Sequence, residues 1–83
     1  MSERRTRFDI YAAILHIARN GSKKSHIIYK ANLSFNLGEK YFNVLIDKGL
    51  LNVSYYPRLY TSTTRGLDYV TQFNGLSEFV NIN

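Results

Sequence analysis

Cysteine is absent from this chain of 83 residues, which excludes disulfide staples and thiolate metal sites and fits an intracellular protein. Long apolar runs are missing too. No stretch approaches the roughly eighteen unbroken apolar residues of a membrane span. The basic first residues lead into an amphipathic segment and not into a signal-type apolar run. A soluble, cytoplasmic protein without a membrane partner is expected. The groupings that carry catalysis are also lacking: no activated nucleophile pairing, glycine-rich phosphate loop, carboxylate pair at a shared site or histidine-rich helix. His16 and His26 lie in different segments, without acidic or thiol companions at ligand spacing, so no metal site is expected. The reading is a non-enzyme without cofactor. With no repeat, low-complexity tract or linker, the chain should be one domain.

Enough apolar material is present to fold it. At 45% apolar and 14% aromatic, the chain is too hydrophobic to stay disordered, although its length is near the lower limit for a self-sufficient core. Its charge is unevenly spread. Residues 1–65 hold all eleven Lys and Arg against four acids, a balance of +7, whereas residues 66–83 hold only Asp68 and Glu78. A basic body attracts polyanions such as nucleic acid, and the C-terminal segment is left for a different contact.

Apolar spacing predicts a mostly buried first helix over 6–20, stopped by Asn20-Gly21. A second helix over 23–32, capped by Ser22 or Ser25, turns Ile27, Ile28 and Ala31 inward. After the break Asn32-Leu33-Ser34, a third helix over 35–48 buries Leu37, Tyr41, Phe42, Leu45 and Ile46, and Gly49 ends it. Gly38 costs this helix about 1 kcal/mol against Ala and permits a neighbour to approach closely. Strand-like alternation over 51–61 surrounds a tip of Tyr55, Tyr56, Pro57 and Arg58, since Pro57 cannot donate to a ladder. Thr63 caps a last helix over 64–80, with residues 1–5 a basic arm.

Helix, helix, short turn, helix, two-stranded hairpin, helix is the order of a winged helix-turn-helix, an α+β and mainly α fold. Two helices joined tightly hold the second outward, where a polar face fits the major groove, about 12 Å wide. The stretch IIYKANLSFNLGEKYFNVLIDKGLL and the later LYTSTTRGLDYV also resemble an archaeal winged-helix family of small DNA-binding proteins, some chromatin-associated. The elements that carry the resemblance are Ile28-Tyr29, Ala31-Asn32-Leu33-Ser34, Tyr41, Leu45, Gly49-Leu50-Leu51, Tyr60, Thr63 and Gly66. It covers roughly residues 7–73. The resemblance implies a regulatory or sequence-tolerant DNA binder of crenarchaeal cells or their viruses, often dimeric through its last helix. The final helix here is short for the long coiled coil of some members.

The expected partner is double-stranded DNA, and the expected role is transcriptional regulation or chromatin association. The expected DNA-binding residues fall in four groups. Arg4 and Arg5 form the arm; Lys23, Lys24 and His26 open the second helix; Ser34, Asn36, Glu39, Lys40 and Asn43 belong to the third helix and its cap; Tyr56 and Arg58 form the hairpin tip. The stripe Tyr69, Phe73, Leu76, Phe79 and Val80 exceeds what so small a core covers, and is expected to form a homodimer interface. The competing reading is a winged-helix module that binds protein through an apolar outer face on the third helix. RNA binding is disfavoured, because the sheet is too small to be a stacking platform.

Overall fold

The computed structural model describes the backbone of residues 5–81 and the side chains of residues 5–75. Among these, the elements in chain order are α1 (Arg7–Ile17), a 3-10 turn (Ala18–Asn20), α2 (Lys24–Lys30), α3 (Phe35–Asp47), β1 (Leu51–Ser54), β2 (Leu59–Ser62) and α4 (Thr64–Asn81). The strands pair antiparallel with Leu51 opposite Ser62 and Ser54 opposite Leu59. The fold is α+β and mostly helical.

α1 begins at a capping box. Thr6 Oγ1 accepts the Asp9 backbone N–H at 3.2 Å, while the Asp9 carboxylate accepts the Thr6 backbone N–H at 2.8 Å, so two unpaired donors of the helix start are satisfied together. The helix tightens into the 3-10 turn, and Gly21 leaves it with φ +88°. The next residue behaves differently from the expected cap. Ser22 pairs in β fashion with Tyr60, exchanging N–H···O bonds of 3.0 and 2.8 Å, so it adds a one-residue third edge to the hairpin. The N-cap of α2 is instead Lys23, whose side chain makes no capping bond.

The core joins every helix to the hairpin. Ile10, Tyr11, Ile14, Leu15 and Ala18 of the first helical segment meet Ile27, Ile28 and Ala31, Phe42 and Leu45, Leu51 and Tyr60 of the hairpin, and Val70 of α4. Phe42, Ile14, Leu15, Ile27 and Leu45 are fully enclosed, each side chain contributing about 1.5–3 kcal/mol by leaving water. The buried Ser62 hydroxyl donates to the Leu15 carbonyl at 2.6 Å, so the one buried polar residue of the described chain is satisfied and ties β2 to α1. Tyr60 lies against Phe42 with ring centroids 5.0 Å apart, while Tyr41 remains half-buried, edge-on to Tyr11 at 5.5 Å.

α4 is fixed at its start. Thr63 Oγ1 accepts the Gly66 N–H at 3.1 Å and donates to the Gly49 carbonyl at 2.7 Å, so one hydroxyl caps α4 and binds the turn that ended α3. Tyr69 packs edge-on to Tyr11 at 6.5 Å and donates its hydroxyl to the Phe8 carbonyl at 3.2 Å. Leu67, an apolar residue in the first turn of α4, is 40% exposed. A Cβ added at Gly75 would meet nothing within 4 Å, so Gly75 faces open space.

Candidate nucleic-acid interface

The α2–α3 unit is held by three local devices. Asn32 takes φ +59° and turns the chain, and the Leu33 N–H returns to the Ile28 carbonyl at 3.0 Å while its side chain packs half-buried against the core. Ser34 caps α3, its hydroxyl accepting the Leu37 N–H at 3.2 Å. Gly38 then lets the helices touch. A Cβ there would lie 2.8 Å from Ile28 Cγ1, so the angle between α2 and α3 depends on the missing side chain.

With Gly38, Phe42 and Leu45 inward, the opposite side of α3 presents Asn36, Lys40 and Asn43, all exposed. The spacing i, i+4, i+7 puts these three on one stripe. Each offers hydrogen-bond donors, and Lys40 carries charge, so the stripe suits base edges and phosphates. Leu37 differs from expectation. About 80° around the helix from Leu45 and about 140° from Phe42, it lies at the edge of the buried side and is 37% exposed.

Glu39 and Lys24 are paired with each other. Lys24 Nζ reaches Glu39 Oε1 at 2.6 Å, with Lys24 largely covered and Glu39 half exposed. The bridge clips the start of α2 to α3, and it occupies both groups in the unbound protein. Arg5 is similarly engaged. Its guanidinium donates to the carbonyls of Ala31 at 2.8 Å and Asn32 at 3.1 Å, so a cation caps the carbonyl end of α2. Arg4 lies outside the described residues.

Lys23 is exposed at the start of α2. His26 is exposed on the side of α2 away from Ile28, where with Lys30 it faces His16 and Arg19 across a polar cleft that also includes Asn20 and Ser22. Four basic-type side chains and no acid line this cleft, a concentration that the sequence order conceals because they come from α1, the 3-10 turn and α2. At the hairpin tip Tyr56 is fully exposed with φ +64°, and the Tyr56–Pro57 peptide is cis. Arg58 places its guanidinium 5.2 Å from the Tyr55 ring centroid, which aims the cation along the tip.

On α4, Tyr69 and Phe73 are stacked at 6.2 Å and half-buried, and with Phe8, Thr6 and Gln72 they line an apolar groove. Burial raises the Tyr69 phenol above its ordinary value, with smaller contributions from Tyr11 and Asp9. The side chains of Leu76, Phe79 and Val80 lie outside the described ones. Phe35, which the sequence reading did not assign, opens α3 with 60% of its surface exposed, and Tyr29 on α2 is 81% exposed. No group of three metal-ligating side chains occurs among the described residues, and no helix among them is long and apolar enough to cross a membrane.

A three-helix body, a helix pair with a tight turn, an outward third helix and a β-hairpin after it define the winged helix-turn-helix class. The chain belongs to that family, whose model matches residues 4–81. Among solved structures it is similar to Sso10a-2, a DNA-binding protein from Sulfolobus solfataricus. The identity is 25% and the TM-score 0.80, covering 94% of this chain and 81% of that one. No curated protein matches the chain significantly.

Proposed function

We propose that this protein binds double-stranded DNA as a small transcriptional regulator, with α3 in the major groove and the hairpin on the flanking backbone. The observation that carries the reading is the exposed stripe Asn36, Lys40 and Asn43 on a helix whose other side is locked into the core. The similarity to Sso10a-2, itself a DNA-binding protein, supports the same partner. So does the charge, which is +5 overall and concentrated before residue 66.

Within this reading the side chains divide by role. Asn36, Lys40 and Asn43 face base edges. Lys23, His26 and Arg58 meet phosphates, Tyr56 reaches sugar or phosphate from the tip, and Arg4 extends the basic arm. Ser34 and Arg5 act by positioning, since they cap the facing ends of α3 and α2. The Lys24–Glu39 bridge opens or stays according to whether a phosphate competes for the lysine. A second copy docks along α4 through Tyr69, Phe73, Leu76, Phe79 and Val80, a reading supported by the apolar groove that Tyr69 and Phe73 line with Phe8. A two-fold dimer sets two α3 helices about one DNA turn apart and favours pseudo-palindromic sites. A DNA-bound protein of this kind works in the cytoplasm, at the nucleoid.

A salt titration of binding tests the reading. Affinity for mixed-sequence duplex is compared with affinity for the region upstream of the protein's own gene. A preference of about a hundredfold for the upstream region supports a regulator, and equal, salt-sensitive binding to both supports a chromatin role. No binding to either at low salt removes the DNA reading in favour of a protein partner.

A further inference from the structure

We infer that Phe35 is a thymine-reading residue, an apolar contact at the exposed start of α3 that adds to the polar stripe a preference for the 5-methyl groups of the major groove. The inference rests on the DNA-binding reading above and adds to it a determinant that hydrogen-bonding residues cannot supply.

Phe35 serves neither the core nor the cap of its helix. Phe42 and Leu45 of the same helix are enclosed, whereas Phe35 is 60% exposed and lies outside the core cluster. Capping does not require it either, because the Ser34 hydroxyl closes the start of α3 by accepting the Leu37 N–H. None of the aromatic pairs in the described chain includes it. A large apolar ring is thus held in water at the first position of the outward helix.

Its setting suits DNA more than a protein partner. In helix-turn-helix proteins the N-terminal residues of the second helix of the motif are those that meet base edges. Phe35 is next to Asn36 and one turn before Glu39, whose bridge brings the Lys24 ammonium to the same end of the helix pair; Lys40 lies about 140° around the helix from it. A ring at the helix start, beside an amide and near the bridged Lys24, matches a groove that offers acceptors, phosphates and one apolar group. That group is the thymine methyl, which side chains including Phe contact in direct readout. Removing a buried methyl from such a contact should lower affinity about fourfold.

The test uses two chemically matched duplexes. One carries thymine and the other carries uracil at every thymine position, which deletes the 5-methyl groups and leaves every hydrogen-bonding group in place. Binding of the wild-type protein and of F35A is measured by fluorescence anisotropy at one salt concentration, with circular dichroism to establish that F35A is folded. The wild type is expected to bind the thymine duplex at least fourfold more tightly, and F35A is expected to bind both alike, at the uracil level. Equal binding of both duplexes by the wild type overturns the inference while leaving DNA binding intact. A thymine preference retained in F35A also overturns it, by moving the methyl contact elsewhere. If the wild type binds neither duplex at low salt, the inference falls together with the DNA reading, and the exposed ring becomes a protein contact.

Discussion

Gly38 of α3 and Ile28 of α2 meet so closely that a Cβ on the glycine would stand 2.8 Å from Ile28 Cγ1 and 3.0 Å from its Cδ1. Two effects of opposite sign compete at this position. Alanine would gain about 1 kcal/mol of helix propensity, but the atom it strikes belongs to a β-branched side chain that is 5% exposed and hemmed in by the core. Overpacking of that kind costs about 1–3 kcal/mol. The clash should win: G38A is expected to lower the melting temperature and, by prising α3 from α2, to weaken DNA binding. A more stable G38A would mean that Ile28 yields easily.

Gly66 is the stricter case. Its added Cβ would lie 2.2 Å from the Leu50 carbonyl oxygen, and a backbone atom has no rotamer to escape into. G66A should therefore destabilise more than G38A, by about 3 kcal/mol, in chemical denaturation. The two variants separate side-chain from backbone collisions in the same fold.

Glu39 gives a prediction in sign. If Lys24 meets phosphate, Glu39 competes with DNA for it, and E39Q should bind DNA more tightly while changing stability by no more than about 0.5 kcal/mol, as expected for a half-exposed pair. Weaker binding of E39Q would instead make the carboxylate a base contact, accepting from a cytosine amino group.

Arg5 separates positioning from contact. R5A removes two bonds to the carbonyl end of α2 and should cost about 0.5–1 kcal/mol of stability. It should leave the salt dependence of DNA binding unchanged, whereas loss of a phosphate contact would lower the slope of log K against log salt by about 0.9.

The Tyr69 phenol is raised by burial, so above its ordinary value the unfolded chain loses this proton before the folded one does. Unfolding then becomes easier as pH rises, and the stability Tyr69 contributes is full below about pH 10 and declines through the raised folded value. The stability difference between wild type and Y69F should accordingly shrink at alkaline pH in denaturant titrations. A difference independent of pH would indicate that the phenol is equally solvated in both states.

Much of the fold was legible because its signals are periodic or local. Apolar spacing located the helices, Gly49 and Thr63 marked a stop and a start, and Pro57 kept the tip out of the strands. The bridge between Ser22 and Tyr60 was not legible, because a single paired residue has no period and serine before a helix reads as a cap. The Lys24–Glu39 bridge and the Arg5 cap were hidden for a related reason: each joins groups far apart in sequence. Residue type misled at Leu37, where hydrophobicity suggested the core and a position at the edge of the buried side left the side chain partly in solvent; Phe35, which was not assigned, shares the angular side of Phe42 but stands at the first residue of α3, beyond the reach of the core. The stripe Asn36, Lys40 and Asn43 was readable, since it is the complement of the buried side.

The most direct test of the central claim is chemical protection of DNA at saturating protein. Dimethyl sulfate methylates guanine N7, which lies in the major groove, and adenine N3, which lies in the minor groove. The account predicts that the protein shields guanine N7, that K40A loses part of that shielding, and that adenine N3 is shielded less. Protection confined to adenine N3, or guanine N7 reactivity unchanged in the bound duplex, would contradict insertion of α3 into the major groove.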